Sequence, residues 1–183
     1  MLVRQHALLI SCLCLGFCTP GLRAAPTPAA IFGDGMVLQR DRPLEIWGTA
    51  SKNERVTVEF AGQTRTTNAD DDGHWTITLE AVPANAAPAE LILRGTDSRK
   101  VLHGVVVGDV WLCGGQSNMA MTLRSTVNRD LEIGSADFQA IRFLRVPLIS
   151  RGTPQADLPA PKAKAQEGNW KPATTEHVGN CTG

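Results

Sequence analysis

A serine attacks an acyl carbon when a base takes its proton and hydrogen-bond donors await the oxyanion that forms. Within WLCGGQSNMAM, residues 111–121, Ser117 offers such a hydroxyl, preceded by Gly114, Gly115 and Gln116 and followed by Asn118. Glycines let a backbone turn tightly and let a substrate come close. A serine set where a strand hands over to a helix faces free backbone N–H groups and the positive end of the helix dipole. The side-chain amides of Gln116 and Asn118 can orient neighbours or donate to a substrate. The plainer reading is a helix start, in which Ser117 or Asn118 caps the first turn for about 1 kcal/mol.

Other residues with the chemistry for a site are more economically read as structure. Asp71, Asp72, Gly73 and His74 form the sequence's one Asp-x-x-His, but Asp-Gly between two alternating segments signals a hairpin turn. Asn68, Asp70, Asp72 and Gly73 imitate a calcium loop, yet Leu79 stands where a bidentate glutamate is required. His177 follows Glu176 and is expected as an exposed loop residue, and His103 as structural or solvent-facing. No general base and no partnering aspartate for Ser117 is identified, and no metal site. Trp47, Trp75, Trp111 and Trp170 could stack on a sugar, although three fall in strand-like segments where core packing is the commoner role. Cys113, ending an apolar run, is expected to be a buried free thiol. Cys181 lies in the one N-x-S/T sequon.

Two apolar runs lead to Ser117: Val105, Val106 and Val107, then Val110, Trp111, Leu112 and Cys113. Continuous runs of this kind predict strand buried on both faces. Met119, Leu123 and Val127 recur at helical spacing, so strand, Gly-Gly turn, serine and helix is the expected order. Upstream the pattern has period two. Val56, Val58 and Phe60 alternate with Thr57 and Glu59, and Trp75, Ile77 and Leu79 with Thr76 and Thr78. With further strands around residues 44–47 and 91–93, and turns at residues 41–43, 61–62, 72–73 and 95, this predicts an antiparallel β-sandwich. After His103 the order becomes strand, helix and a second strand at residues 141–146, the grammar of a parallel α/β sheet. Residues 147–168 predict a long irregular loop. Fewer than eighty residues follow Val105, room for about two βα units. An open parallel sheet that small leaves its faces bare, so the α/β domain is expected to be truncated.

The 183 residues carry 18 basic and 18 acidic side chains and are 43% hydrophobic, enough for a soluble core of one or two domains. A balanced charge without a Lys/Arg cluster argues against a nucleic-acid or anionic-membrane partner. The first 25 residues differ: Arg4 and His6, a short apolar run from Ala7 to Phe17, then small residues around Ala24 and Ala25. That is the layout of a secretory signal peptide, too short to span a bilayer and giving a secreted or periplasmic product with no membrane association after cleavage. The expected division is a leader at 1–25, a β-sandwich at 26–105 and the first part of an α/β domain at 106–183.

GDVWLCGGQSNM, residues 108–119, resembles the nucleophile block of the sialate O-acetylesterase family of SGNH-type hydrolases, where GEVWLCSGQSNM is usual. IFGDGMVLQRDRPLEIWGTA, residues 31–50, and VTVEFAGQTRTTNADDDGHWTITL, residues 56–79, are similar to its N-terminal β-domain. The resemblance implies an SGNH-hydrolase-like, flavodoxin-like catalytic fold after the β-domain. It also implies a serine esterase that takes acetyl groups from hydroxyls of sialic acid or related sugars without metal or organic cofactor. It makes Ser117 the nucleophile and its own N–H one oxyanion donor, with Gly115, Gln116 and Asn118 in supporting places. The family's later glycine and asparagine donors and its Asp-x-x-His have no counterpart here. Gly114 replaces a usual serine, and Ala120, Met121 and Thr122 replace Glu-Trp-Pro. The competing expectation is a non-catalytic carbohydrate-binding module in which the β-sandwich carries the function.

Overall fold

The computed structural model describes residues 25–147, 149–159 and 168–181. The expected signal peptide therefore lies outside the described residues, apart from its last member. Ten strands follow in order: β1 (Thr27–Pro28), β2 (Val37–Gln39), β3 (Leu44–Thr49), β4 (Arg55–Phe60), β5 (Gln63–Asn68), β6 (His74–Leu79), β7 (Asn85–Arg94), β8 (Arg99–Gly108), β9 (Asp137–Leu144) and β10 (Trp170–Thr174). Among the described residues one α-helix, α1, spans Arg129–Ser135.

The period-two segments form strands whose alternate residues are buried. Leu44 and Ile46 in β3, and Trp75, Ile77 and Leu79 in β6, face inward while their neighbours face water. These strands make a three-stranded sheet in the order β1-β3-β6. The second sheet runs β2-β8-β7-β4-β5 and is mixed, because β2 lies parallel to β8 while the other pairs are antiparallel. Val56, Val58, Phe60, Leu91, Leu93, Leu102 and Val105 from this sheet join the buried residues of the first in one core. Each such side chain, fully buried, contributes about 1.5–3 kcal/mol relative to exposure. The molecule is thus mostly β-strand around a mixed sheet.

Turn chemistry fixes the registers. Phe60 pairs with Gln63, leaving Ala61 and Gly62 as a two-residue loop with φ of 49° and 76°. Two positive φ values are what a type I′ turn requires, and that turn matches the twist of the strands it joins. In β3, a Cβ on Gly48 would stand 2.1 Å from the carbonyl oxygen of Thr27. Glycine there is what allows β1 to lie against β3.

The region after β8 departs from expectation. Val105, Val106 and Val107 are buried in sequence, as a doubly covered strand should be. Residues 110–113 are not a strand, however, and Trp111 and Leu112 are 84% and 96% exposed. The helix expected through Met119, Leu123 and Val127 is replaced by two 3-10 turns, Ser117–Ala120 and Leu123–Ser125, with α1 beginning later at Arg129. The expected second strand exists as β9, but it pairs antiparallel with β10, so among the described residues the parallel strand-helix-strand order is not formed. The physical reason is common to all three. An apolar run becomes buried strand or helix only where another layer covers it, and here Phe138 and Ile141 of β9 also stand open to solvent. The long loop, where described, carries neither helix nor strand.

Candidate active site

Ser117 sits at the tip of the loop that leaves β8, as the first residue of the Ser117–Ala120 turn. It is exposed, as are Gln116 and Asn118. The residue preceding the turn is Gln116, extended at φ −102° and ψ −152°, and no side chain caps the turn. Neither Ser117 nor Asn118 is therefore spent as an N-cap. The turn itself is held by Met119 N–H donating to Gln116 O at 2.9 Å and Met121 N–H donating to Asn118 O at 3.2 Å. A four-residue 3-10 turn does not sum enough aligned peptides for a helix macrodipole, which corrects the expected electrostatic help from that source. Gly114 and Gly115 do not adopt positive φ. Gly115 is instead small for a neighbour's sake, since a Cβ there would come 2.5 Å from Cγ of Met119.

The root of this loop is tied to β2. Val110 N–H donates to Oε1 of Gln39 at 2.9 Å, and Arg40 N–H donates to Gly108 O at 2.9 Å. Arg40 Nε donates to Oδ1 of Asp109, also at 2.9 Å, and this bond, with the charge of Asp109 behind it, holds the guanidinium above its ordinary pKa. Composition and periodicity gave no sign of Gln39 and Arg40 as partners of this loop. The available signal was that residues 31–50 and 108–119 both carry a family-like pattern.

Among the described residues the histidines do not complete a catalytic set with Ser117. His177 was expected to be exposed, but its side chain is only 16% exposed and both ring nitrogens have neighbours: Nδ1 lies 3.1 Å from Oγ1 of Thr174 and Nε2 3.5 Å from Oε1 of Glu176. It precedes a 3-10 turn, Val178–Asn180, that packs beside the segment following Ser117. There Leu123 N–H donates to Cys181 O at 3.2 Å, and Arg124 Nε donates to Oδ1 of Asn180 at 3.3 Å. His103 is solvent-facing, 3.2 Å from Glu90, as expected. His74 lies in the hairpin region: Asp70 Oδ1 accepts from the N–H groups of Asp72 and His74, so the Asp-x-x-His of residues 71–74 is a turn. Among the described residues no group of three or more His, Cys, Asp or Glu is placed to hold a metal ion.

Cys113 is exposed, correcting the expectation of a buried thiol, because the strand meant to bury it does not form. Of the tryptophans, Trp75 is core, Trp47 meets the ring of Phe32 edge-on at 4.6 Å, and Trp170 Nε1 donates to Ile31 O at 2.8 Å. Trp111, expected on a strand, projects from the serine loop.

No protein-family model matches the chain. Among curated proteins, the sialate O-acetylesterase of Homo sapiens is 30% identical over an alignment of 166 positions that covers 83% of this chain and 30% of the human protein. The sialate O-acetylesterase of Rattus norvegicus is 29% identical over an alignment of 163 positions that covers 83% of this chain and 29% of the rat protein. Among solved structures, a carbohydrate acetylesterase from Xanthomonas citri superimposes with a TM-score of 0.79 at 36% identity, over 86% of this chain and 34% of that one. The chain spans about 30% of the length of the curated relatives it matches.

Proposed function

We propose, from the premise that the chain is homologous to the sialate O-acetylesterases over most of its own length, that it carries the nucleophile of a secreted serine esterase that removes O-acetyl groups from sialic acid or related sugars. The observation that carries the reading is the state of Ser117: exposed, uncapped and at the tip of the loop that bears the esterase-like block. In this reading residues 26–105 form a β-sandwich domain and residues 106–183 begin an SGNH-type α/β domain, with β8 leading from one to the other.

The reaction follows from the hydroxyl. A histidine base removes the proton of Ser117 Oγ as the oxygen attacks the acetyl carbonyl carbon, and the resulting oxyanion is held by backbone N–H groups, that of Ser117 among them. The C–O bond to the sugar breaks, the sugar oxygen takes the proton from the histidine, and an acetyl-serine remains. Water, deprotonated by the same base, then releases acetate and restores the hydroxyl. In this reading the exposed amides of Gln116 and Asn118 flank the nucleophile and would orient the sugar. None of His74, His103 and His177 is hydrogen-bonded to Ser117. Without its base a serine of this kind loses several powers of ten in rate, so this chain by itself is expected to turn over slowly or not at all.

The test is acetate release from O-acetylated sialic acid and from an acetylated polysaccharide. It is run on this chain and on a hybrid in which the chain is joined to the part of the Xanthomonas citri acetylesterase it does not match. Release by the hybrid should vanish in Ser117→Ala. Undiminished release by the Ser117→Ala hybrid would overturn the assignment.

A further inference from the structure

The bonds at the root of the serine loop give the β-sheet a part in the chemistry, an inference that rests on Ser117 being the nucleophile. We propose that Gln39 and Arg40, at the end of β2, are positioning residues for Ser117. A loop whose tip is a short 3-10 turn, with Trp111 and Leu112 exposed along its length, has few contacts of its own to set its direction. Its far end is held by the bonds of Leu123 and Arg124 to Cys181 and Asn180, and on the β-sheet side its direction is set at its point of departure. Gly108, Asp109 and Val110 are each held from the end of β2 and the residue just beyond it: Gly108 O by the Arg40 N–H, the Asp109 carboxylate by the Arg40 guanidinium, and the Val110 N–H by the side chain of Gln39, the last residue of β2. Gln39 is braced in turn, its Nε2 donating to Arg40 O at 3.2 Å. A surface ion pair alone contributes little to stability. These bonds act at consecutive residues, and an angular change at the base of a loop is magnified at its tip.

Cys113, exposed and midway between Asp109 and Ser117, is a reporter that needs no turnover. In the full chain with Cys12, Cys14, Cys18 and Cys181 replaced by serine, a nitroxide on Cys113 should show an immobilised spectral component. Gln39→Leu and Arg40→Ala should each lose that component while the thermal melt of the β-core stays in place. Gln39→Glu, which keeps an acceptor for the Val110 N–H, should retain it. Asp109→Ala added to Arg40→Ala should change nothing more. An unaltered spectrum in both Gln39→Leu and Arg40→Ala would overturn the proposal, as would equal loss in Gln39→Leu and Gln39→Glu. Because the label reads loop order and the acetate assay reads chemistry, Ser117 can fail as nucleophile while the latch stands, and the reverse.

Discussion

At the scale of single residues, charge placement makes a pH-dependent contribution to the β-core. Arg94 donates to the carboxylate of Glu59 across the β4–β7 pair, and this hydrogen bond holds the Glu59 carboxyl below its ordinary pKa against the opposing effect of desolvation. A carboxylate with a depressed folded-state pKa stabilises fully above its unfolded value and loses that contribution as pH falls through the folded value. The difference in melting temperature between the wild type and Glu59→Gln should therefore be largest near neutrality and shrink on acidification through the carboxylate range, measured by circular dichroism at a series of pH values. The family likeness of the segment around Ser117 was legible from sequence because its neighbours form a recognisable block. The exposure of Cys113 was not, since a four-residue apolar run reads the same whether or not anything covers it.

At the scale of elements, alternation was a reliable guide wherever two sheets share a core. β3, β4 and β6 each bury the residues that their period-two pattern points inward. Helical spacing after Ser117 was a poor guide, because short helices take most of their stability from packing, and Val127 has none. β1 was too short to read at all, and it exists because Gly48 admits the backbone of Thr27 and Pro28. Gly48→Ala should therefore displace β1 and destabilise the chain by about 1–3 kcal/mol, the usual range for forcing atoms into filled space. Urea denaturation would measure it. An Ala at Gly33, where added atoms meet open space, is the control.

At the scale of the whole molecule, the segment after β8 is fastened to the β-sheets by a few side chains. Arg142 of β9 donates to the carbonyls of Gly35 and Gly104, and burial pushes its guanidinium below the ordinary value. Asp157 accepts the Ala30 N–H at 2.9 Å, and Trp170 reaches Ile31 O. Arg142→Ala leaves two part-buried carbonyls short of a donor, a loss of about 1–3 kcal/mol. Limited proteolysis should then cut more readily within residues 110–181 while fragments of the β-core persist. Sequence patterns gave no hint of these ties, because each joins residues more than thirty positions apart and none belongs to a periodic run.

The parallel pairing of β2 with β8 also has a consequence for the order of events as the chain folds. Val37 must wait for Val106, and Gln39 for Gly108, before either finds its partner. Contacts between such distant positions form late, after nearer hairpins have shortened the intervening path. A nascent chain thus acquires its β4–β5 hairpin early and sets the direction of the loop that bears Ser117 among the last things it does, so a fault in closing the sheet would surface as a misdirected loop before it surfaced as unfolding.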